Sequence, residues 1–139
     1  MTQQAAYERN GALVTADAFY AIACDPRRSV AVEACAGAGK TWMLVSRMVR
    51  ALLEGVEKAG TDGRLQPQEI LAITFTKRAA GEMRERLYEW LAEFAHADRA
   101  KLLHELQIRG VPGLHDEATA SRLATQLQGL YAAMLATGR

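Results

Sequence analysis

The chain has 139 residues, of which 50% are hydrophobic, and this is enough for one globular domain with a buried core. Its formal net charge is +1, so a contact with nucleic acid would have to come from a local basic patch rather than from an overall field. The sequence shows neither a secretory signal nor an apolar run long enough to span a membrane, and we expect a cytoplasmic protein with reduced thiols.

The beginning of the chain predicts one short helix and one turn. Residues 1–10 are polar and lack periodicity, so we expect an irregular lead-in there. Apolar residues recur at helical spacing over residues 15–24, behind a cap at either Thr15 or Asp17. Segment 25–29 contains a proline and predicts the turn that ends this helix.

A glycine-rich loop is the strongest feature of the sequence. The β-branched run 30–33 predicts a strand, which enters a loop that ends in Gly-Lys-Thr and opens into an amphipathic helix. Loop glycines let backbone N–H groups point at an anion, and the positive end of the helix dipole lies at the same place. Lys40 would then reach the β- and γ-phosphates of a nucleotide, while the Thr41 hydroxyl would ligate Mg²⁺. The candidate phosphate loop comprises Ala34, Cys35, Ala36, Gly37, Ala38, Gly39, Lys40 and Thr41.

The alternative for this loop is a strand-turn-helix corner in which Gly-Lys-Thr only caps the helix. The general phosphate-loop pattern begins with glycine, where this chain has Ala34. In the helix that follows, we expect Trp42 to pack against the core rather than to contact a ligand, and Gly55 to end the helix. The wetter side of this helix carries Ser46, Arg47, Arg50 and Glu54.

A second apolar run, residues 69–76, predicts another strand after a polar loop. Two strands joined by a helix form a right-handed βαβ unit, so we expect a parallel sheet whose ligand lies at the carboxyl ends of the strands. Thr74, Phe75 and Thr76 would then lie on the same edge of the sheet as the phosphate loop.

Three helices are predicted in the rest of the chain, over residues 77–95, 98–107 and 115–136, with a Gly-Pro turn at 110–113. The apolar face of the first comprises Ala79, Ala80, Met83, Leu87, Trp90, Leu91 and Phe94. The inner face of the last comprises Leu123, Leu127, Leu130 and Met134. No cysteine or carboxylate shares a metal-like spacing with the histidines, so we expect ordinary surface positions for His96, His104 and His115.

Two strings together resemble the UvrD/Rep superfamily 1 DNA helicases and, within them, the RecB/AddA-like branch. The phosphate loop has the family form A-x-x-G-x-G-K-T, so Ala34 fits the pattern of this family. Residues 70–83 are similar to the family's motif Ia, T-F-T-x-K-A-A-x-E-M. The resemblance is good over residues 30–91 and weak elsewhere.

The resemblance implies an ATP-driven motor that moves along single-stranded DNA and unwinds duplex DNA in repair or recombination. It implies ATP and Mg²⁺ as cofactors, with Lys40 and Thr41 assisting phosphoryl transfer. The implied fold is an α/β P-loop NTPase, a partial RecA-like motor domain with parallel strands flanked by helices and a helical C-terminal portion. Residues 1–97 would form the N-terminal part of that domain, and residues 98–139 would be a truncated helical extension of it. The implied DNA contacts are Thr74, Phe75, Thr76, Lys77 and Arg78.

The residues of the second string are themselves suited to binding nucleic acid. An exposed Phe75 would stack on a base, which is worth ~1–3 kcal/mol per base, and Lys77 and Arg78 would supply positive charge beside it. They also allow a plainer interpretation, in which a strand simply enters a helix with Thr76 as its N-cap.

The chain departs from the family in three respects, one of which is that Lys77 and Arg78 stand where other members often carry Asn and Lys. Family members commonly carry a glutamine upstream of the loop that reads the adenine edge, and residues 17–21 contain none. A complete member has an Asp-Glu pair on a later strand and arginines from a second motor domain, whereas here the Asp116-Glu117 pair begins a helix. We therefore expect an N-terminal piece of a motor, which binds nucleotide weakly and turns it over negligibly on its own.

The expected partners are single-stranded or duplex DNA, the remainder of the motor and, by the same resemblance, a nuclease or a RecBCD/AddAB-type subunit, with no membrane. One alternative is a stand-alone nucleotide- or DNA-binding module without catalysis. Another is a small P-loop kinase, which would need an arginine-rich lid that the sequence lacks.

Overall fold

The computed structural model describes residues 7–33, 39–57 and 77–136. Its elements in chain order are β1 (Tyr7–Arg9), β2 (Ala12–Val14), α1 (Ala16–Ala23), α2 (Lys40–Glu57), α3 (Lys77–Ala95), α4 (Arg99–Ile108) and α5 (Glu117–Ala136). None of these helices is long and apolar enough to cross a membrane.

The described chain opens with a β-hairpin. β1 and β2 are antiparallel, with Tyr7 opposite Val14, and their turn contains Asn10 and Gly11 at φ values of 52° and 86°. Two consecutive positive φ angles match the twist of the flanking strands, and Asn-Gly is the dipeptide that adopts them most readily. The irregular lead-in expected for residues 1–10 is therefore wrong from Tyr7 onward, and the Asn-Gly signal was present in the sequence.

The first predicted helix is confirmed as α1. The Thr15 hydroxyl accepts a hydrogen bond from Ala18 N at 3.1 Å, which makes Thr15 rather than Asp17 the N-cap. The predicted turn follows, where the Asp25 carboxylate accepts a bond from Arg27 N at 3.0 Å.

The parallel sheet expected from the sequence does not appear among the described residues. Residues 30–33, where the first strand was predicted, belong to no strand in the structure. The second predicted strand, residues 69–76, lies outside the described residues. The part of the chain that the structure describes is therefore mostly helical, and its one sheet has two strands.

The helix after the phosphate loop is confirmed as α2, but it is longer than expected. It continues through Gly55 to Glu57, so the prediction that Gly55 ends it is wrong. A glycine inside a helix costs only about 1 kcal/mol, which is small beside the burial of Leu52 and Leu53 immediately before it.

The main core lies where α2, α3, α4 and α5 pack together. α5 contacts α3, α4 and α2, and its four predicted inner residues are all buried. On α3, Met83, Leu87, Leu91 and Phe94 are buried as predicted, whereas Ala80 is exposed and the expectation for it is wrong. The three histidines are exposed, as expected.

The turn between α4 and α5 brings the end of α4 against α1. Gly110 has a φ of 73°, and a Cβ built on it would lie 2.6 Å from Ala21 N. α5 begins at Glu117 and not at residue 115, because the Asp116 carboxylate accepts a bond from Thr119 N at 3.0 Å and caps the helix.

Gly110→Ala should lower the free energy of unfolding by at least about 2 kcal/mol, because the new methyl group would overlap the backbone of α1 and the residue would keep a positive φ. The matched control is Gly129→Ala in α5, where a Cβ meets nothing within 4 Å. That variant should gain about 0.5–1 kcal/mol from helix propensity. Urea unfolding measures both, and equal stability of the two variants would contradict the close packing of α1 on Gly110.

Candidate phosphate-binding site

The entry to α2 has the backbone form that the loop pattern predicts. Gly39 has a φ of 85°, and its carbonyl accepts a hydrogen bond from Met43 N at 3.0 Å, which closes the first helical turn. Among the described residues, nothing lies within 4 Å of a Cβ built on Gly39. Glycine is favoured here by the positive φ angle and not by a lack of room for a side chain. Residues 34–38 of the loop lie outside the described residues.

The first turn of α2 is open to solvent and has positive character. Lys40 and Thr41 begin the helix and are both exposed, and the first turn contains no acidic side chain. N–H groups in a first helical turn have no acceptor within the helix, and the helix dipole adds positive charge there. An anion at this end would meet these N–H groups, the Lys40 ammonium and the Thr41 hydroxyl, with no carboxylate on the same turn to oppose it.

The start of α3 has a similar character. Lys77 and Arg78 are its first residues, both are exposed, and the first turn again contains no acidic side chain. Arg78 Nε lies 3.3 Å from Glu82 Oε1, an exposed pair that adds little stability. The Arg78 side chain stays 90% exposed in spite of this pair, so its guanidinium is accessible from solvent.

A small second core joins α1 to the beginning of α2. It consists of the buried residues Ala23, Cys24 and Met43, and the Cys24 thiol donates to Met43 O at 3.9 Å. Burial raises the pKa of Cys24 to about 11, against the opposing effect of nearby arginines, so the thiol is protonated at neutral pH. Cys24 is therefore a packing residue and not a nucleophile.

Arginines on α2 donate to the carbonyl oxygens at the end of α1. Arg47 Nη1 donates to Ala23 O at 3.1 Å and its Nη2 donates to Arg28 O, while Arg50 Nη1 donates to Ala21 O at 3.1 Å. The last carbonyls of a helix lack intrahelical donors, so the bonds to Ala21 O and Ala23 O satisfy acceptors at the end of α1.

The expectation that this side of α2 is its wetter side is wrong for Ser46 and Arg50. Ser46 is 0% exposed and Arg50 is 4% exposed. Arg47 and Arg50 donate to backbone carbonyls of neighbouring segments, whereas Lys40 and Thr41 at the start of α2 are exposed. Periodicity in one sequence cannot distinguish these two uses of a polar stripe.

The turn after α1 is fixed by a buried carboxylate. Asp25 is 6% exposed and its Oδ1 accepts from Arg27 N at 3.0 Å and from Arg27 Nε at 3.1 Å. Burial acts to raise the pKa of Asp25, but the hydrogen bonds from Arg27 and the charge of Arg50 outweigh it, and the pKa lies below the ordinary value of 3.8.

The chain matches a known protein family over most of its length. A family model described as the UvrD/REP helicase N-terminal domain matches residues 14–126. The chain belongs to this family. The resemblance inferred from the two sequence strings is thereby confirmed.

The chain is similar to parts of much longer curated proteins. It is 38% identical over 91 residues to an ATP-dependent helicase/nuclease subunit from Desulfitobacterium hafniense, which is 64% of this chain and 6% of that protein. It is 45% identical over 62 residues to the ATP-dependent DNA helicase UvrD2 of Mycobacterium tuberculosis, which is 45% of this chain and 8% of that protein. The chain thus spans less than a tenth of the relatives it matches. No solved structure matches it.

In this UvrD/REP helicase N-terminal domain, the structure places only some of the predicted site residues. Gly39, Lys40 and Thr41 lie together at the start of α2, and Lys77 and Arg78 lie together at the start of α3. The other predicted residues lie outside the described residues, namely Ala34, Cys35, Ala36, Gly37, Ala38, Thr74, Phe75 and Thr76. Their roles, and the shared sheet edge, stay predictions.

Trp42, the residue after Thr41, packs as expected. Its ring lies 5.1 Å from that of Tyr20 and 6.1 Å from that of Trp90. The guanidinium of Arg109 lies between the rings, 5.1 Å from Trp42, 4.6 Å from Trp90 and 5.4 Å from Phe94. Each distance is within the range of a cation–π contact.

Arg109 is a residue that sequence reasoning missed. It is 2% exposed, and its Nη1 donates to Glu105 Oε2 at 2.6 Å. Burial lowers the pKa of Arg109 while Glu105 raises it, and the arginine stays charged at neutral pH. Burial acts to raise the pKa of Glu105, but its bond to Arg109 outweighs burial and the pKa falls below 4.5. The four-residue spacing of this pair was visible in the sequence, but its burial was not.

The Asp-Glu dipeptide has a structural role. Asp116 caps α5, and Glu117 pairs with Arg99 across the turn to α4. As expected from the sequence, this pair begins a helix.

Asp25→Asn should lower the free energy of unfolding at pH 7 by about 1.5–3 kcal/mol, because the charge-assisted bonds to Arg27 are lost. The pKa of Asp25 is depressed in the folded state, so its stabilisation is present above the ordinary value of 3.8 and is lost as the pH falls through the lower folded value. The difference between wild type and variant should therefore shrink with acidification.

Urea unfolding of both proteins from pH 7 to pH 2.5 measures this difference. Glu93→Gln, at an exposed position on α3, serves as the control and should change stability by less than about 0.5 kcal/mol. A difference for Asp25→Asn that does not change with pH would show that its carboxylate charge does not stabilise the turn.

Proposed function

We propose that this chain binds the triphosphate of ATP, with Mg²⁺, at the start of α2, as the N-terminal ATP-binding segment of an ATP-dependent DNA helicase. The observation that carries the proposal is the form of that helix end. Gly39 has a positive φ, Lys40 and Thr41 are exposed behind it, and no acid lies on the first turn. These groups fit a phosphate and its divalent cation in charge and in hydrogen-bonding type.

Each residue has a distinct role in this proposal. The backbone N–H groups of the loop and of the first turn would bind phosphate oxygens, Lys40 would neutralise the β- and γ-phosphates, and the Thr41 hydroxyl would ligate Mg²⁺. The bound cation would supply charge neutralisation between the phosphates. Ala34, Cys35, Ala36, Gly37 and Ala38 belong to this loop by their pattern.

DNA binding is proposed for the segment that leads into α3. Two exposed cations, Lys77 and Arg78, stand at a helix start without an acid on the same turn, where a phosphodiester could bind. Thr74, Phe75 and Thr76 would extend this surface with hydroxyl groups and one stacking ring.

We propose the wider activity from the relatives that the chain resembles. They are ATP-dependent helicases, and one of them is named as both a helicase and a nuclease. We propose translocation on single-stranded DNA and unwinding of duplex for a longer motor that contains this segment. Its further components would include a nuclease or a partner protein. Residues 1–97 would belong to its RecA-like domain, and residues 98–139 would be a helical extension of it.

Lys40→Ala should weaken the binding of Mg²⁺–ATP by about 10- to 100-fold, because one charge-assisted hydrogen bond to phosphate is worth about 1.5–3 kcal/mol. Isothermal titration calorimetry of the chain measures the affinity. The control is Arg84→Ala on α3, an exposed cation that lies outside the pairs around Arg109, and this variant should bind ATP within twofold of wild type. Unchanged affinity in Lys40→Ala would remove the phosphate-loop assignment.

The double variant Lys77→Ala/Arg78→Ala should weaken the binding of oligo(dT) and flatten its dependence on salt. Each lost phosphate contact reduces the slope of log K against log[salt] by about 0.7 for single strands. Fluorescence anisotropy from 50 to 300 mM NaCl measures the slope, with Arg99→Ala/Lys101→Ala on α4 as the control for net charge. Equal slopes of log K against log[salt] in the two double variants would show that the DNA does not bind at the start of α3.

A further inference from the structure

Arg109, at the carboxyl end of α4, makes two contacts with α2, one at Trp42 in its first turn and one at Arg50 past its middle. Its guanidinium lies over the ring of Trp42, one residue past Thr41, and its carbonyl accepts a bond from Arg50 Nη1 at 3.3 Å. Trp42 and Arg50 are about two helical turns apart on α2. Two contacts at this separation fix the direction of a helix axis as well as its position.

A contribution to stability does not by itself explain why a charged residue, Arg109, occupies this buried position. An apolar side chain could fill the space between Trp42, Trp90 and Phe94 without dehydrating a charge, and such replacements are often neutral or stabilising. Within the described part of the chain, Glu105 is the carboxylate that pairs with Arg109, and Arg109 Nε has no hydrogen-bond acceptor. What a planar guanidinium adds is orientation, because it stacks on aromatic faces at a defined geometry.

We propose that Arg109 is a positioning residue for the phosphate-binding end of α2. It fixes the Trp42 ring between itself and Tyr20, and Trp42 in turn sets the direction in which the N–H groups of the first turn and Lys40 point. The consequence for ATP affinity rests on the function proposed above, whereas the consequence for the backbone of α2 does not.

The first measurement concerns the backbone and requires no nucleotide. Arg109→Gln should raise the amide hydrogen-exchange rates of residues 42–46 by at least tenfold and leave those of residues 123–130 in α5 within threefold of wild type. Arg109→Lys keeps the charge but not the planar group, and it should give an intermediate increase. Exchange is followed by mass spectrometry at a temperature at which circular dichroism shows every variant to be folded.

Two controls separate positioning from general destabilisation. Ala124→Gly weakens α5 without touching Arg109, and it should not raise exchange selectively at residues 42–46. Arg99→Gln removes an exposed arginine–glutamate pair, between Arg99 of α4 and Glu117 of α5. It should leave the exchange rates of α2 unchanged. If Arg109→Gln raises exchange uniformly, as Ala124→Gly is expected to do, the positioning role is overturned.

The second measurement is Mg²⁺–ATP affinity by calorimetry under the same conditions. We expect Arg109→Gln to lose at least fivefold and Arg99→Gln to stay within twofold of wild type. Selective exchange at residues 42–46 with unchanged ATP affinity would overturn the role of Arg109 at the nucleotide site. If wild type itself does not bind ATP while the selective exchange is present, the proposed function fails and the positioning of α2 by Arg109 stands.

Discussion

The charge of Arg109 is removed from water, and the surrounding structure has to balance it from several elements at once. Glu105 provides the opposite charge from the same helix, and the aromatic rings come from α2 and α3. Such a group is strongly destabilising if any of its partners moves away, since a buried charge without compensation costs several kcal/mol. The relative placement of α2, α3 and α4 is therefore more narrowly defined around Arg109 than it would be around a leucine.

The same logic applies along the polar side of α2. Arg47 and Arg50 donate to backbone oxygens at the ends of α1 and α4, so the termini of two helices are satisfied by the side chains of a third. These bonds, the small core around Cys24 and the Trp42 contacts surround the half of α2 that follows the candidate phosphate loop. The exposed end of α2 thus projects from a closely packed base, which is what a phosphate site needs if its N–H groups are to be preorganised.

Much of the helical structure could be predicted from periodicity and capping residues. Thr15 was one of two candidate caps for α1, the start of α5 was predicted two residues too early, and the inner face of α5 followed from its spacing. The family could be recognised because the phosphate loop and the string that ends at Met83 are specific together. The buried position of Arg50 and the surroundings of Arg109 could not be predicted, because a polar residue looks the same in a sequence whether its partner is water or a carbonyl oxygen many residues away.

The contact between Arg50 and the carbonyl of Arg109 joins residues that lie 59 positions apart. During translation, α2 therefore leaves the ribosome before the segment that completes its surroundings has been made. At about 5–20 residues per second, this interval lasts roughly 3–12 s. Through that time the apolar surface of α2 lacks part of its native cover, because α5, which also packs on it, is made later still.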